Sequence, residues 1–140
     1  MSKLPVTLPD GQQAPLGQLI RPGLPTVISL WASWCGPCQL EAPDIVELRR
    51  HFGPDKINLV YLNVREDGAP PADLARFLRS IGMPPHDYVS MGYADLPRLT
   101  NDTRNLIPRT FVFDKAGTPI AMIVGYKPMA LARIPGLLSD

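Results

Sequence analysis

The sequence predicts an α/β domain with a mixed central β-sheet and helices on both faces. Two continuous apolar runs, 26–31 and 57–64, are typical of buried strands, and helical patterns follow each of them. A hairpin pattern lies near the C-terminus. A strand, a helix and a further strand in succession imply a parallel pair joined by a crossover, whereas a hairpin adds antiparallel strands. The sheet is therefore expected to be mixed.

Length, charge and hydropathy exclude several classes of protein. A chain of 140 residues is long enough for one domain, so we expect a single domain over 1–140. The formal charge of +1, with acids and bases interspersed, gives no field that attracts nucleic acid or anionic lipid. The apolar runs are well short of the ~20 residues that span a bilayer. The first residues, MSKLPVTLPDG, lack the apolar core of an export signal.

The N-terminal half is expected to open with a β-hairpin and to contain one long helix. Residues 6–8 predict a short strand, 9–11 (Pro-Asp-Gly) a tight turn and 16–20 the returning segment. The helix follows the strand at 26–31 and ends at the stop signal Gly53-Pro54, with Pro43 expected to kink it. Its apolar residues approximate a helical stripe: Leu40, Ile45, Leu48 and Phe52.

The segment after the strand at 57–64 is expected to hold two more helices and a weak strand. Apolar residues at intervals of three, one and three predict the first helix, with Gly82 as its cap. These residues are Leu74, Phe77, Leu78 and Ile81. Residues 88–91 predict the weak strand. The second helix is predicted over 95–106, with Asp95 as N-cap.

The C-terminal segment predicts a hairpin and a short helix. Residues 110–113 and 119–124 are rich in β-branched and aromatic residues and flank an Asp-Lys-Ala-Gly turn. The last helix is predicted to open at Lys127-Pro128 and to be interrupted by Pro135.

The two cysteines of the chain, Cys35 and Cys38, lie in the motif WCGPC at the junction of a buried strand and a helix N-terminus. Unpaired backbone N–H groups and the helix dipole favour a thiolate there. Pro37 suits the first helical turn, and Gly36 allows another chain to approach the sulfur closely. Cys38 lies one turn further in and is expected to be shielded. The spacing therefore predicts an exposed nucleophile, Cys35, and a protected resolving cysteine.

Two other roles for the cysteine pair are less favoured. A tetrahedral zinc site needs four ligands, but the chain has no second cysteine pair, and its histidines, His51 and His86, are scattered. We therefore expect no metal. A purely structural disulfide across so small a loop would remove little entropy from the unfolded chain and would stabilise the fold weakly.

WASWCGPC after a buried strand, with Ile107-Pro108 directly before the strand RTFVF, resembles the thioredoxin superfamily over nearly the whole chain. The 72 residues between Cys35 and Pro108 exceed those of a minimal thioredoxin by roughly 25 to 30, which the predicted helix and weak strand account for. This insertion, the N-terminal hairpin and the glutamate in CGPCQLEAP are similar to the TlpA-like branch. That branch includes membrane-tethered, extracytoplasmic thiol–disulfide reductases, some serving cytochrome c maturation or copper-site assembly.

The resemblance implies roles for individual residues. Cys35 would be the attacking cysteine, Cys38 the resolving one, and Glu41 the acidic residue that handles protons near the pair. Minimal thioredoxins instead place an aspartate in the preceding strand, where this chain has Ser29. Pro108 matches the cis-proline of the superfamily, since cis bonds are essentially confined to proline.

Two departures and the substrate-binding residues complete the comparison. The Gly36-Pro37 dipeptide is that of ordinary thioredoxins and indicates a reducing poise. Arg109 occupies a position where a small hydroxyl residue is common, which predicts unusual substrate selection next to the proline. The residues expected to contact substrate are Trp34, Gly36, Pro37, Ile107 and Pro108.

The resemblance thus implies a thiol–disulfide oxidoreductase, and the motif favours a reductase of protein disulfides without a cofactor. Its partners would be disulfide-bearing client proteins and a membrane or soluble thiol donor that re-reduces the pair, and the protein would act as a monomer. The family implies a periplasmic or membrane-tethered extracytoplasmic location, with the cytoplasm as the alternative. A metallochaperone or metal-binding module, and a disulfide isomerase or oxidant, are the alternative functions.

Overall fold

The computed structural model describes residues 3–53, 55–65, 71–83 and 89–138. Pro54, His86 and Tyr88, which the sequence predictions above include, lie outside the described residues. The strands are β1 (Pro5–Thr7), β2 (Gln13–Pro15), β3 (Thr26–Trp31), β4 (Asn58–Arg65), β5 (Val89–Gly92), β6 (Arg109–Phe113) and β7 (Pro119–Val124). The helices are α1 (Gly36–Phe52), α2 (Pro71–Ser80), α3 (Leu96–Thr100), α4 (Pro128–Leu131) and α5 (Ile134–Leu138).

The seven strands of the described chain form one mixed sheet in the order β2-β1-β5-β4-β3-β6-β7. The pairs β3–β4 and β4–β5 are parallel, as the crossover helices require. The hairpins β1–β2 and β6–β7 and the pairs β1–β5 and β3–β6 are antiparallel. The predicted mixed sheet is confirmed, and β3 lies well inside it.

β3 divides the core into two layers because successive side chains of a strand point to opposite faces. Val27 and Trp31 pack with residues of α1, α2, α4 and α5 on one face of the sheet. Ile28 and Leu30 pack with α3 and the N-terminal segment on the other face. Helical segments therefore cover both faces, as predicted. Every residue of β3 is buried, so the strand that leads into the cysteine motif is held from both sides.

α1 carries the cysteine motif at its start and shows one error in the predicted apolar stripe. Its buried positions are Cys38, Glu41, Ala42, Ile45 and Leu48, at helical spacing. Leu40 is 64% exposed because it lies outside this stripe, and the carboxyl residue that follows it is buried instead. The helix runs through Pro43 and ends where Gly53 adopts φ of 74°, with its N–H bonded to the carbonyl of Arg49.

The N-terminal hairpin forms, but its returning strand is β2, nearer to the turn than the predicted 16–20. Leu16 instead begins a 3-10 turn over Leu16–Leu19, and its N–H donates to the carbonyl of Leu4 at 2.7 Å. Leu16 is fully buried. Anchoring this leucine in the core therefore ends the strand early.

Two predicted helices also differ from the structure. α3 ends at Thr100 instead of at Leu106, because Asn101 adopts the left-handed conformation with φ of 54° and reverses the chain. Asp95 occupies the N-cap position without a capping hydrogen bond from its side chain, which instead accepts one from Arg98. The last helix is interrupted, as predicted, but the break lies at 132–133, between α4 and α5, and Pro135 is the second residue of α5.

None of the helices within the described residues is both long and apolar enough to cross a bilayer.

Candidate active site

Cys35 and Cys38 form a disulfide at the N-terminus of α1, with their Cα atoms 5.3 Å apart. Cys35 is the N-cap residue, with extended φ and ψ of −94° and 109°, and Pro37 occupies the first turn. The backbone N–H of Cys38 donates to Sγ of Cys35 at 3.2 Å. When the disulfide is reduced, this N–H and the positive end of the helix dipole favour the thiolate of Cys35.

The two cysteines differ little in exposure. Cys35 is 5% exposed and Cys38 1% exposed, so both residues are buried and the expectation of an exposed Cys35 is wrong. Cys38 is the more buried of the two, as expected. A client that reaches the pair meets Cys35 first.

The segment before β6 closes over the disulfide. The peptide bond between Ile107 and Pro108 is cis, as the resemblance implied. The carbonyl oxygen of Ile107 lies 3.8 Å from Sγ of Cys35, which brings together residues 72 positions apart. The N–H of Gly125, after β7, donates to the carbonyl of Pro108 at 2.8 Å. The cis-proline is thus fixed between the nucleophile and the β6–β7 hairpin.

Glu41 is a buried carboxyl residue one turn beyond Cys38. It is 2% exposed, and the hydroxyl of Ser29 donates to its Oε1 at 3.3 Å. Burial and, to a smaller extent, the nearby charge of Asp44 raise the pKa of Glu41 from 4.5 to about 7, although the Ser29 hydrogen bond works in the opposite direction. Residues three apart on a helix are neighbours, so Glu41 and Cys38 lie on adjacent turns of one face. Glu41 can therefore hold or release a proton near neutral pH.

Strand register surrounds Glu41 with polar side chains that the sequence analysis did not single out as a group. Ser29 pairs in register with Tyr61 of β4 and Thr110 of β6, and all three are buried. Burial and the charge of Glu41 raise the pKa of Tyr61. One sequence feature could have indicated this group, because Ser29 is a polar residue within a mostly apolar strand.

The two tryptophans near the motif have different surroundings. Trp31 is buried and stacks between Tyr61 and Phe77, with ring centroids 4.7 and 4.8 Å away, which confirms it as a core residue. Trp34 is 49% exposed and meets Tyr93 edge-to-face at 6.1 Å. Tyr93 follows β5, so the central insertion supplies one neighbour of the WCGPC motif that sequence reasoning missed.

The remaining candidates are placed as follows. Gly36 and Pro37 are the first two residues of α1, and a Cβ at Gly36 would meet nothing within 4 Å, so the backbone beside Cys35 is open. Arg109 directly follows the cis-proline but is buried, and its Nη2 donates to Oδ2 of Asp102 at 3.2 Å. The structure thus brings the predicted substrate-binding residues to one end of the sheet, whereas the side chain of Arg109 is turned to a partner inside the protein.

Among the residues that the structure describes, no group of three or more histidine, cysteine, aspartate or glutamate side chains is arranged to hold a metal ion.

Comparisons with known proteins show the family to which the chain belongs. The profile of the Redoxin family matches residues 2–130. The thiol:disulfide interchange protein HelX of Rhodobacter capsulatus is 30% identical over 119 residues, an alignment that covers 84% of this chain and 62% of HelX. The chain thus spans about three fifths of the length of that relative. A thioredoxin of Alicyclobacillus acidocaldarius is 27% identical over 79% of this chain and 77% of its own.

Solved structures share the fold. A putative thiol:disulfide interchange protein DsbE from Chlorobium tepidum superposes with a TM-score of 0.70 at 21% identity, over 95% of this chain and 88% of that one. A putative protein disulfide isomerase from Bacteroides thetaiotaomicron gives a TM-score of 0.69 at 24% identity, over 98% and 86%. The predicted thioredoxin-like fold is confirmed.

A Cys-Gly-Pro-Cys pair at a helix N-terminus that faces a cis-proline within this fold is the arrangement found in thioredoxin-like thiol–disulfide oxidoreductases. With the Redoxin profile matching nearly all of its length, the chain belongs to the Redoxin family.

Proposed function

We propose that the protein reduces disulfides of client proteins, with Cys35 as nucleophile and Cys38 as resolving cysteine. The observation that carries the proposal is the position of Sγ of Cys35, which receives the N–H of Cys38 at 3.2 Å and lies 3.8 Å from the carbonyl of Ile107. The first contact favours a thiolate, and the second leaves a backbone carbonyl next to the sulfur that an extended client could pair with.

The reaction takes two exchange steps. In the reduced protein the Cys35 thiolate attacks one sulfur of the client disulfide, forms a mixed disulfide and releases the other client sulfur as a thiolate. Cys38 then loses its proton to Glu41 and attacks Sγ of Cys35, which breaks the mixed disulfide. The client leaves with both sulfurs reduced, and two electrons have passed from the cysteine pair to it. An external dithiol donor returns the pair to its reduced state.

Glu41 has the properties that the second step requires. It is buried on the same helix face as Cys38, and its pKa of about 7 lets it accept a proton at neutral pH. A solvent-exposed glutamate of ordinary pKa would hold a proton poorly at that pH. Glu41→Gln is therefore expected to slow resolution of the mixed disulfide without slowing its formation.

Trapping tests the assignment of the two cysteines. Cys38→Ser, in its reduced form, should accumulate a mixed disulfide with insulin whose disulfides are intact or with disulfide-bearing proteins of a cell extract, whereas Cys35→Ser should accumulate none. Both variants lack the native disulfide, so each is the matched control of the other. Equal trapping by the two variants would reverse or remove the assignment.

The direction of the reaction is tested by the equilibrium potential against glutathione. The Gly36-Pro37 dipeptide supports a reducing potential, near that of thioredoxin at about −270 mV and below that of protein disulfide isomerase at about −180 mV. A value at or above the second figure would make the protein an isomerase or oxidant.

We further propose an extracytoplasmic location. The central insertion with α2 and β5, together with Glu41 in place of a strand aspartate, supports this because both features resemble the TlpA-like branch. Fractionation of cells that express the protein from its own gene tests the location, and recovery in the cytosol would refute it.

A further inference from the structure

An ion pair between the buried Arg109 and the partly exposed Asp102 spans the cis-proline segment. Nη2 of Arg109 donates to Oδ2 of Asp102 at 3.2 Å, and Ile107 and Pro108 lie between these two residues in the chain. The pair therefore closes a ring of eight residues, 102–109, whose backbone includes the carbonyl that faces Cys35. Loss of the Arg109–Asp102 contact is therefore expected to affect first the backbone of the residues between them, 103–108.

The Arg109–Asp102 ion pair is expected to contribute little to the stability of the fold. Arg109 is 2% exposed, and its Nε has no hydrogen-bond partner among the described residues. Burying an arginine against one carboxylate costs desolvation that roughly offsets the attraction, and apolar replacements of such pairs are often neutral or stabilising. An apolar side chain at 109 would therefore serve the core as well. Stability of the core therefore does not explain why the protein has a charged pair at this position.

Arg109 is also separate from the proton site. Adjacent residues of a strand point to opposite faces, so Arg109 and Thr110 lie on different sides of the sheet. Thr110 is in register with Ser29, on the face of Glu41, whereas Arg109 faces the side of α3. An effect of Arg109 on the reaction must therefore pass through the backbone of β6 or through Asp102.

Asp102 is a firm anchor for the ring. Its carboxylate accepts hydrogen bonds from the guanidinium of Arg104 at 2.9 and 3.0 Å and from the backbone N–H of Arg104 at 3.0 Å. Its carbonyl accepts from the hydroxyl of Thr100 at 3.1 Å, which ties it to the end of α3. Asn101 and Asn105 both have φ of 54°, so the segment bends twice within five residues. A segment with two such bends needs fixed ends to keep one shape.

We propose that Arg109 is a positioning residue that acts through Asp102 to hold the backbone of Ile107 in line for pairing with an extended client polypeptide. The proposal rests on the proposed reductase function. It assigns a substrate class: disulfides carried on polypeptide that aligns with the Ile107–Pro108 edge depend on the pair, whereas small disulfides that only meet Sγ of Cys35 do not.

The experiment compares two substrates. Reduction of insulin, a polypeptide disulfide, and of dithionitrobenzoate, a small aromatic disulfide, is measured for the wild-type protein, Arg109→Met, Arg109→Lys and Asp102→Asn. We expect Arg109→Met and Asp102→Asn each to raise the KM for insulin about tenfold with kcat within about twofold, and to leave reduction of the small disulfide within about twofold of wild type. Arg109→Lys should reverse at least half of the rise in the KM for insulin, because it restores a charged donor at position 109.

Arg50→Met is the matched control. It removes an exposed arginine that pairs with a different carboxylate, Glu47, and leaves the Arg109–Asp102 bond and its surroundings in place, so we expect its KM for insulin to stay within about twofold of wild type. Far-ultraviolet circular dichroism identifies variants that do not fold. Asp102→Asn keeps the shape of its side chain and carries the test if Arg109→Met is unfolded.

Each remaining outcome is decisive. An unchanged KM for insulin in folded Arg109→Met and Asp102→Asn overturns the positioning role while the reductase function stands. Equal losses on insulin and on the small disulfide also overturn it, because they indicate damage at Cys35. Failure of the wild-type protein to reduce insulin refutes the proposed function itself, and the inference with it.

Discussion

The hydroxyl of Ser29, in the middle of β3, lies 3.3 Å from Oε1 of Glu41 on α1. This contact joins the strand that precedes the cysteine motif to the helix that follows it. Glu41 is thereby held on the turn after Cys38, in a place from which water is nearly excluded. The protonation of one carboxyl group then depends on how tightly the strand and helix pack.

Glu41 should make the stability of the oxidised protein depend on pH. Its pKa is about 7 when folded and 4.5 ordinarily, so the folded state binds more protons between these values. Stability is therefore expected to be full below about pH 4.5, to fall as the pH rises to 7, and to level off above it. Relative to Glu41→Gln, the loss should be on the order of 3 kcal/mol. Urea unfolding of both oxidised proteins across this range measures it.

Glu47→Gln provides the control for this pH dependence. Glu47 lies on the same helix but is exposed and pairs with Arg50, so its variant should follow the wild-type curve. A constant difference between wild type and Glu41→Gln from pH 4.5 to 7 would show that Glu41 titrates like an exposed glutamate.

Removing the Ser29 hydroxyl should raise the pKa of Glu41 further. The Ser29 hydrogen bond favours the ionised carboxylate, and a hydrogen bond of about 0.5–1.5 kcal/mol corresponds to a shift of about half to one pH unit. The carboxyl carbon resonance of Glu41 in Ser29→Ala, followed by NMR titration, gives the value directly. Ser90→Ala removes another buried strand hydroxyl, two strands away, and should leave the titration unchanged. A pKa in Ser29→Ala at or below that of wild type would contradict this assignment.

The two tryptophans should separate stability from client binding. Trp31→Ala deletes a buried ring stacked on Tyr61 and Phe77 and is expected to cost about 3–5 kcal/mol of unfolding free energy. Trp34→Ala, at a half-exposed position, should cost less than about 1 kcal/mol and instead raise the KM for insulin. Urea unfolding and insulin reduction measure the two effects. Equal losses of stability would refute this division.

Gly125 should not tolerate a side chain, for reasons of backbone conformation alone. It has φ of 83°, and a Cβ there would meet nothing within 4 Å. Gly125→Ala is therefore expected to cost about 1–2 kcal/mol and to disturb the hydrogen bond from its N–H to Pro108. Gly136, in α5, is equally uncrowded without a positive φ, so Gly136→Ala should be neutral or stabilising by up to about 1 kcal/mol. Thermal unfolding of both variants checks the opposite signs.

Sequence patterns predicted the elements whose residues all favour one environment. The strand at 26–31 was predicted with its observed bounds because apolar residues occupy nearly every position of β3. The stripe of α1 failed at Leu40, because counting apolar residues cannot place a carboxylate in the core and a leucine in solvent. α3 was overextended because the left-handed conformation of Asn101 depends on its tertiary setting as well as on its residue type.

Within the site, the sequence predicted contacts between residues that are close along the chain, and it did not predict contacts between residues that are far apart. Cys35 and Cys38 are close in sequence, so their geometry follows from local structure. The cis-proline came only from family resemblance, since nothing local links the Ile107-Pro108 segment to the sulfur that lies 72 residues before Ile107. The contacts of Glu41 with Ser29 and of Arg109 with Asp102 depend on how strands, helix and loop meet, and no periodicity in the sequence encodes them.

The place of β3 in the sheet also determines how the molecule opens. Strands flank it on both sides, and two of them, β6 and β7, separate it from the nearer edge. Its amide protons can exchange with solvent only when neighbouring strands part, whereas those of β2 and β7 are released by local fraying. Deuterium should therefore enter β3 and its neighbour β4, the middle strand of the sheet, last, so that the reactive sulfur directly follows one of the two most slowly exchanging strands.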